Sequence, residues 1–546
     1  MSPRTTVVVG AGAAGAALAT RLSEDPGRRV IVLEAGPAPR TADEFPPDLL
    51  DGGTVQGAVP GHPANWSYLG HLTPDLPYTI ARGRILGGSS TINGGYFVRA
   101  RPEDFDRWAG TAGPGWSYER VLPVLRDLER DLDLGAGPFH GDAGPMPVRR
   151  ASQDSPAARA FAAAARELGF PEEPDKNAPR APGVGPVPQN VVDGVRVNTG
   201  IAYLNPVRDR ANLEVRGGCR VRRVVVDGTR AVGVEVDDAA GRRVVEADEV
   251  VLCAGGIGTP HLLLVSGIGP AAQSEPLGIT VVRDAPGVGR AFSDHPDLSV
   301  GWRARRDIVD PSSPDTFTTA LNFTSPGGDP AGDLEVMVCV TTMNHLLTGS
   351  SSAVSAGAKT ALRHPLATLR AVRGASVRRL RDQVAHGRDL VLLVGLQREE
   401  ARGSITLESA DPLAPPRIDY RYLSTESDRE RMRHGIRTAV ALLRSRAFAD
   451  LFDRLTELDD ATLGDDAALD AWMLAHLGTA IHLCGSAPMG PASDPHAVVD
   501  GAGRVHGLEG LRVADTSMLP DTPSRGPANT AVLIGELVAR LMHRDG

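Results

Sequence analysis

One stretch near the amino terminus restricts the possible folds more than any other. Residues 6–9 are β-branched and apolar, and Ala13–Leu22 carries small and apolar side chains over nearly three helical turns. Between them lies Gly10-Ala11-Gly12-Ala13-Ala14-Gly15. Glycine at these three positions permits a tight turn, close approach of the backbone to a pyrophosphate, and intimate packing of helix on strand. A second apolar run, residues 30–33, ends on Glu34, where a carboxylate can accept both ribose hydroxyls. Strand, turn, helix and distant acid together imply an α/β fold that holds a dinucleotide. They do not choose between FAD and NAD. Only one such loop is evident, whereas a flavoenzyme reduced by NADPH usually carries two.

The chain has 546 residues, enough for two intimately packed domains. Its net charge of -9 excludes a general nucleic-acid binder, which needs a basic surface against phosphates. Cys219, Cys253, Cys339 and Cys484 are far apart and form neither a zinc motif nor a disulfide framework, so buried free thiols are expected and no metal site. The first residues run almost directly into a strand without a signal-peptide layout, and no apolar run is long enough for a bilayer. A cytoplasmic location is the expectation.

Residues 45–80, rich in Pro, Gly and Asp, read as an irregular surface excursion. Short β-runs follow at 213–215, 221–226, 231–236, 244–245 and 250–252. A strand-rich middle, roughly 298–420, gives way to helical periodicity over 428–452 and 466–477, and the last apolar segment, 530–542, reads as a helix. The nucleotide-binding part is therefore expected to be discontinuous, over 1–150, 195–297 and 480–546, bracketing a second domain of 151–194 and 298–479.

Four further segments carry a resemblance. They are Gly83-Arg84-Ile85-Leu86-Gly87-Gly88-Ser89-Ser90-Thr91-Ile92-Asn93-Gly94-Gly95; Gly255-Gly256-Ile257-Gly258-Thr259-Pro260 running to Ser266-Gly267-Ile268-Gly269; Pro286-Gly287-Val288-Gly289-Arg290 with Asp294-His295-Pro296; and Leu511-Arg512-Val513-Ala514-Asp515-Thr516-Ser517. In this order they resemble the signatures of the glucose–methanol–choline (GMC) oxidoreductases, over essentially the whole chain. Gly256 departs mildly from the alanine or similar small residue common at its position. The resemblance implies a Rossmann-like FAD-binding domain with a discontinuous α+β substrate domain built on an antiparallel sheet. It implies FAD contacts at Gly10, Gly12, Ala13, Ala14, Gly15, Glu34, Ala35, Arg84, Gly87, Gly88, Ser89, Asn93, Gly94, Val221, Ala254, Gly255, Asp515, Asn529 and Thr530. Some members tether the flavin through a histidine where this chain has Ile92, so non-covalent FAD is expected.

Alcohol oxidation needs a base for the hydroxyl proton and a hydride acceptor against the same carbon. Of fourteen histidines, His482 heads His482-Leu483-Cys484-Gly485-Ser486-Ala487-Pro488-Met489-Gly490, which resembles the family segment carrying the catalytic histidine. Many relatives add a second histidine or asparagine before the final helix; counting places Gly526 there, with Asn529 three residues later. Asn529 either reaches the site as a second catalytic residue or caps the helix. The gap is open to substrate or to Arg525. His295 and His506 are read as structural, and His345 as a possible pocket residue. Aromatic content of 4% gives an aromatic cage little support, which disfavours choline.

The implied activity is oxidation of an alcohol by hydride transfer to flavin N5. Gly94–Ala100 and Arg525–Thr530 look most like the mycofactocin-associated branch, which implies a reduced redox-carrier cofactor as substrate and a respiratory electron acceptor. Alternatives are a non-redox lyase or photodecarboxylase on the same fold, or an oxygen-using alcohol oxidase. Residues 358–388 hold eight basic residues against Asp382 with apolar residues at helical spacing, a pattern of a solvated helix or of peripheral contact with an anionic membrane or an acidic partner.

Overall fold

The computed structural model describes residues 3–310, 313, 315–349 and 389–545. The basic segment 358–388 lies outside the described residues. The chain opens with β1 (Arg4–Val9), α1 (Ala13–Leu22) and β2 (Arg28–Leu33). Much later come β3 (Leu213–Arg216), β4 (Glu249–Leu252) and α2 (Gly255–Val265). Four longer strands follow, β5 (Pro296–Ala304), β6 (Phe317–Phe323), β7 (Leu334–Cys339) and β8 (Leu390–Leu396), and then α3 (Glu426–Leu443). The chain closes with β9 (Leu511–Val513) and α4 (Ala528–Arg544).

Strands β3, β2, β1, β4 and β9 form, in that order, a parallel five-stranded sheet. Their short apolar runs suit strands covered on both faces: Val7, Val8, Val30, Val32 and Val250 to Leu252 are fully buried. Helices α1 and α4 pack together beside this sheet. A methyl group at Gly535 would stand 2.2 Å from the Ala14 carbonyl oxygen, so glycine is what lets α4 approach α1 at backbone distance.

The second sheet is antiparallel. β5, β8, β7 and β6 form its centre, flanked by Phe452–Leu455 beside β5 and Val184–Pro186 beside β6. Its strands alternate strictly. Leu298, Val300 and Trp302 of β5 pack with Val336, Val338, Leu392 and Val394 on one face, where Met432, Ile436 and Ala439 of α3 cover them. The residues between them face the other way, into a cavity. The buried apolar side chains fall into two main clusters, one around the parallel sheet and one around the antiparallel sheet.

Three sequence expectations need correction. Residues 45–80 include a hairpin, Tyr68–Thr73 with Leu76–Ile80, which joins Arg417–Asp419 and Ser404–Thr406 in a four-stranded sheet. Gly70 and Pro77 interrupt its β pattern, and tertiary pairing makes up for their low strand propensity. The helix expected over 428–452 ends at Leu443; Phe448 and Leu451 are buried outside helical register, and Phe452–Leu455 becomes an edge strand on β5. Helices Pro102–Ala112, Tyr118–Asp127 and Pro156–Glu167 were not anticipated. No described helix is long and apolar enough to cross a membrane.

Candidate active site

A cavity of about 1310 Å³ runs from the glycine turn to the free face of the antiparallel sheet. That is room for a dinucleotide and a small substrate together. At one end it is lined by Gly10, Gly12, Ala13, Ala14, Glu34, Ala35, Val221, Ala254 and Gly255, and further along by Gly88, Ser89, Asn93, Gly94 and Asp515. Gly10 has φ +101, and a methyl group there would lie 2.5 Å from the Cys253 oxygen. A methyl at Gly88, itself at φ +53, would lie 2.7 Å from Gly12 Cα, so the first signature and the turn meet backbone to backbone. Glu34 accepts from the N–H groups of Ala11 (3.1 Å) and Gly36 (2.8 Å), and burial pushes its carboxyl up against these hydrogen bonds. Asp515 accepts from the Gly255 N–H at 2.8 Å and the Thr259 hydroxyl at 2.6 Å, which ties the start of α2 to the end of β9. Gly256 departs from the usual small side chain for a visible reason: a methyl there would lie 2.5 Å from the Leu483 oxygen.

Gly15, Arg84, Gly87, Asn529 and Thr530 lie behind the wall rather than in it. A methyl on Gly15 would stand 2.0 Å from the Gly10 oxygen, and the Arg84 guanidinium sits 5.1 Å from the Trp66 ring centroid. Asn529 and Thr530 belong to the first turn of α4, between Ala528 and Ala531, which do line the cavity. Their side-chain amide and hydroxyl are buried without hydrogen-bond partners.

Where the cavity reaches the antiparallel sheet, His482 lines it. The residue before it, Ile481, has φ 62, a strained conformation for a β-branched side chain. Its N–H donates to Thr479 Oγ1 at 3.0 Å, its carbonyl accepts from Arg82, and the His482 N–H donates to Asp294 at 2.7 Å. The histidine backbone is thus fixed on both sides. Its ring stands perpendicular to that of His295, with Nδ1 to Nδ1 at 3.0 Å. His295 Nε2 lies 2.9 Å from the Pro523 carbonyl oxygen, which can only accept, so Nε2 carries the proton. Burial holds His295 down to about 3, so its Nδ1 keeps a lone pair and accepts. His482 Nδ1 must therefore donate, leaving His482 Nε2 with a free lone pair. Burial, then His295, then Arg82 hold the His482 imidazole well below the ordinary range, so it is neutral at pH 7.

Profiles of the GMC oxidoreductase family match residues 5–297 and 399–535. The chain belongs to the GMC oxidoreductase family. An uncharacterized GMC-type oxidoreductase of Rhodococcus erythropolis is 39% identical over 99% of this chain and 98% of its own. An oxygen-dependent choline dehydrogenase of Brucella anthropi is 34% identical over 97% and 94%. The crystal structure of pyridoxine 4-oxidase from Mesorbium loti superposes with a TM-score of 0.85 at 30% identity, covering 99% of both chains. This GMC oxidoreductase is an FAD-dependent enzyme acting on CH–OH donors, and its glycine turn, buried Glu34 and orphaned Asn529 and Thr530 groups fit that cofactor. Ile92, whose side chain lines the cavity, offers no nucleophile to tether it.

The remaining candidates separate clearly. Gly526, not Asn529, stands against the base: a methyl on Gly526 would lie 3.4 Å from His482 Cε1 and 3.5 Å from Nε2. Asn529 does not cap α4 either, since Pro527 occupies that position. Arg525 does not fill the gap; it is buried, pairs with Glu173 and donates to the Lys176 carbonyl. His345 sits on a short helix whose neighbours Met343, Asn344 and Leu346 line the cavity while it does not. His506 hydrogen-bonds the Gly490 oxygen at 3.0 Å. All four cysteines are buried free thiols. Glu129, Asp131 and His140 cluster closely, yet Arg99 and Arg150 pair with the two carboxylates at 2.6 Å each, so the charges are already matched. Reading the sequence as structural at His295 missed the partner of His482; the adjacent Asp294-His295-Pro296 signature was the available signal.

Proposed function

We propose that this GMC oxidoreductase oxidises an alcohol, with His482 Nε2 taking the hydroxyl proton. FAD, when bound, supplies the hydride acceptor at flavin N5. One observation carries the reading: the hydrogen-bond chain Pro523–His295–His482 admits a single set of tautomers and leaves the lone pair on the nitrogen beside Gly526. A base needs to be unprotonated and within reach of its proton, and His482 is held in both respects before substrate arrives. The α4 amino terminus, at the wall through Pro527, Ala528 and Ala531, adds partial positive charge at that end. The FAD contacts proposed are those named from the first and second signatures, with Asn529 and Thr530 closing the far side. The segregation of the two apolar clusters supports dividing the chain into an FAD-binding part (1–150, 195–297, 480–546) and a substrate part (151–194, 298–479), although Leu72, Ile80 and Leu483 join the substrate-side cluster.

The likeness of Gly94–Ala100 and Arg525–Thr530 to the mycofactocin-associated branch supports a second reading: the alcohol is a reduced carrier cofactor and electrons pass to a respiratory acceptor. A cytoplasmic location, with contact through 358–388 at the inner membrane face, belongs to that reading. The test is the visible spectrum of the purified protein, dark and anaerobic, before and after simple primary alcohols. Bleaching establishes direct alcohol oxidation and discriminates against lyase and photodecarboxylase chemistry; an intact band with full flavin content contradicts it for simple alcohols and favours the carrier.

A further inference from the structure

The substrate end of the cavity has its own chemistry. In antiparallel register Asp297 of β5 and Glu335 of β7 are both partners of Gly395 of β8, one from each side. Directly paired residues point to the same face, so the two carboxylates flank a position that has no side chain. All three line the cavity. Two strand spacings separate the backbones of the acids by roughly 10 Å. A methyl on Gly395 would lie 2.7 Å from Gln397 Nε2, so the Gln397 amide leans over this gap; Gln397 is 4% exposed and its Oε1 is buried without a partner.

The two acids differ in support. Glu335 Oε2 accepts from the Tyr96 hydroxyl at 3.2 Å and from Asn322 Nδ2 at 2.9 Å. Asn322 Oδ1 in turn accepts from Lys176 Nζ at 2.9 Å, and Lys176 is fully buried between Asn322, Glu173 (2.8 Å) and the Gly183 carbonyl (3.0 Å). Glu335 is thus fixed from behind as an acceptor presented to the cavity. No ion pair to Asp297 is seen among the described residues; burial, then Glu335, pushes its carboxyl up to about 7. Two acids and an unpartnered amide oxygen present acceptors around one vacant sheet position.

The geometry points to a subsite for a cationic, hydrogen-bond-donating nitrogen of the substrate, seated over Gly395 between Asp297 and Glu335 while the hydroxyl meets His482. This deepens the alcohol-oxidation reading and rests on it. A protonated amine supplies the positive charge that both carboxylates lack and the donor that Gln397 lacks.

The test compares two alcohols of the same shape, 2-(dimethylamino)ethanol and 3-methylbutan-1-ol, at neutral pH on flavin-loaded enzyme, together with perturbation of the flavin absorbance by N,N-dimethylpropylamine, which has no hydroxyl. The expected result is a kcat/KM at least tenfold higher for the amino alcohol. That ratio should fall at least tenfold in Glu335→Gln and in Asp297→Asn, each checked for normal flavin content, and the amine should bind the native enzyme more tightly than either variant. Equal or better use of 3-methylbutan-1-ol, or equal amine binding by native enzyme and both variants, overturns the subsite. If neither alcohol reduces the flavin but the amine binds with the expected dependence on both acids, the subsite stands and oxidation of such alcohols is what fails.

Discussion

His482 works through a neighbour that does not reach the cavity. His295 fixes which nitrogen of His482 carries the proton, so it is a positioning residue. Replacing His295 with Leu removes the acceptor for His482 Nδ1–H and frees the ring to rotate or change tautomer. Flavin reduction should slow by tens to hundreds of fold with flavin content retained. The pH profile separates this from mere misfolding. Because the native His482 pKa is depressed, its base form persists as pH falls through 6.5, and the native reduction rate should stay flat there. In the His295 variant one of the two positively acting neighbours is gone, so the acid limb should move toward higher pH. Gly526 is a second residue-scale lever. A methyl there meets His482 at ordinary contact distance, so Gly526→Ala should fold and bind flavin normally. Gly526→Asn fills the space before Nε2 and should raise KM for branched alcohols more than for short ones, measured by steady-state kinetics.

At the scale of elements, the glycine turn, the first signature and α2 form one cradle because their backbones touch. Gly88→Ala places a methyl against Gly12 Cα at a positive φ, so the variant should purify with a lower flavin-to-protein absorbance ratio than the native enzyme. Much of this cradle was legible in the sequence. α1 is found over the expected residues and β1 and β2 lie within two residues of theirs, since short buried strands and a glycine-led helix are signalled locally. The hairpin Tyr68–Thr73 with Leu76–Ile80 was not, because its strand character comes from pairing with Arg417–Asp419, far along the chain. The same holds for Asp297 and Glu335. Nothing in their local sequence marks them; they meet only through the register of β5 and β7 on Gly395. Periodicity over 428–452 misled in the opposite way, since apolar spacing continues past Leu443 after the hydrogen-bonded helix has stopped.

At the scale of the whole molecule, buried histidines of opposite character bracket the pH of greatest stability. Hydrogen bonds from Asp131, Asp175 and Glu129 outweigh burial and raise His140 to about 10. Its folded form binds the proton more tightly than the unfolded chain, so this contribution is complete below about 6.5 and is lost as pH rises toward 10. Burial holds His295 to about 3 and His261 to about 4, so below 6.5 the unfolded chain takes up more protons and stability falls with pH. Thermal melting should therefore show a maximum near neutrality, and His140→Gln should lower Tm at pH 7 while shrinking the loss between pH 7 and 10.

The base assignment at His482 is tested most directly by single-turnover anaerobic reduction of the bound flavin by an alcohol the native enzyme oxidises, comparing native protein with His482→Gln at equal flavin loading. The hydrogen-bond chain through His295 predicts a reduction rate lower by about 10²–10⁴ in the variant, with substrate binding retained. An equal rate in the two proteins would show that another group takes the hydroxyl proton.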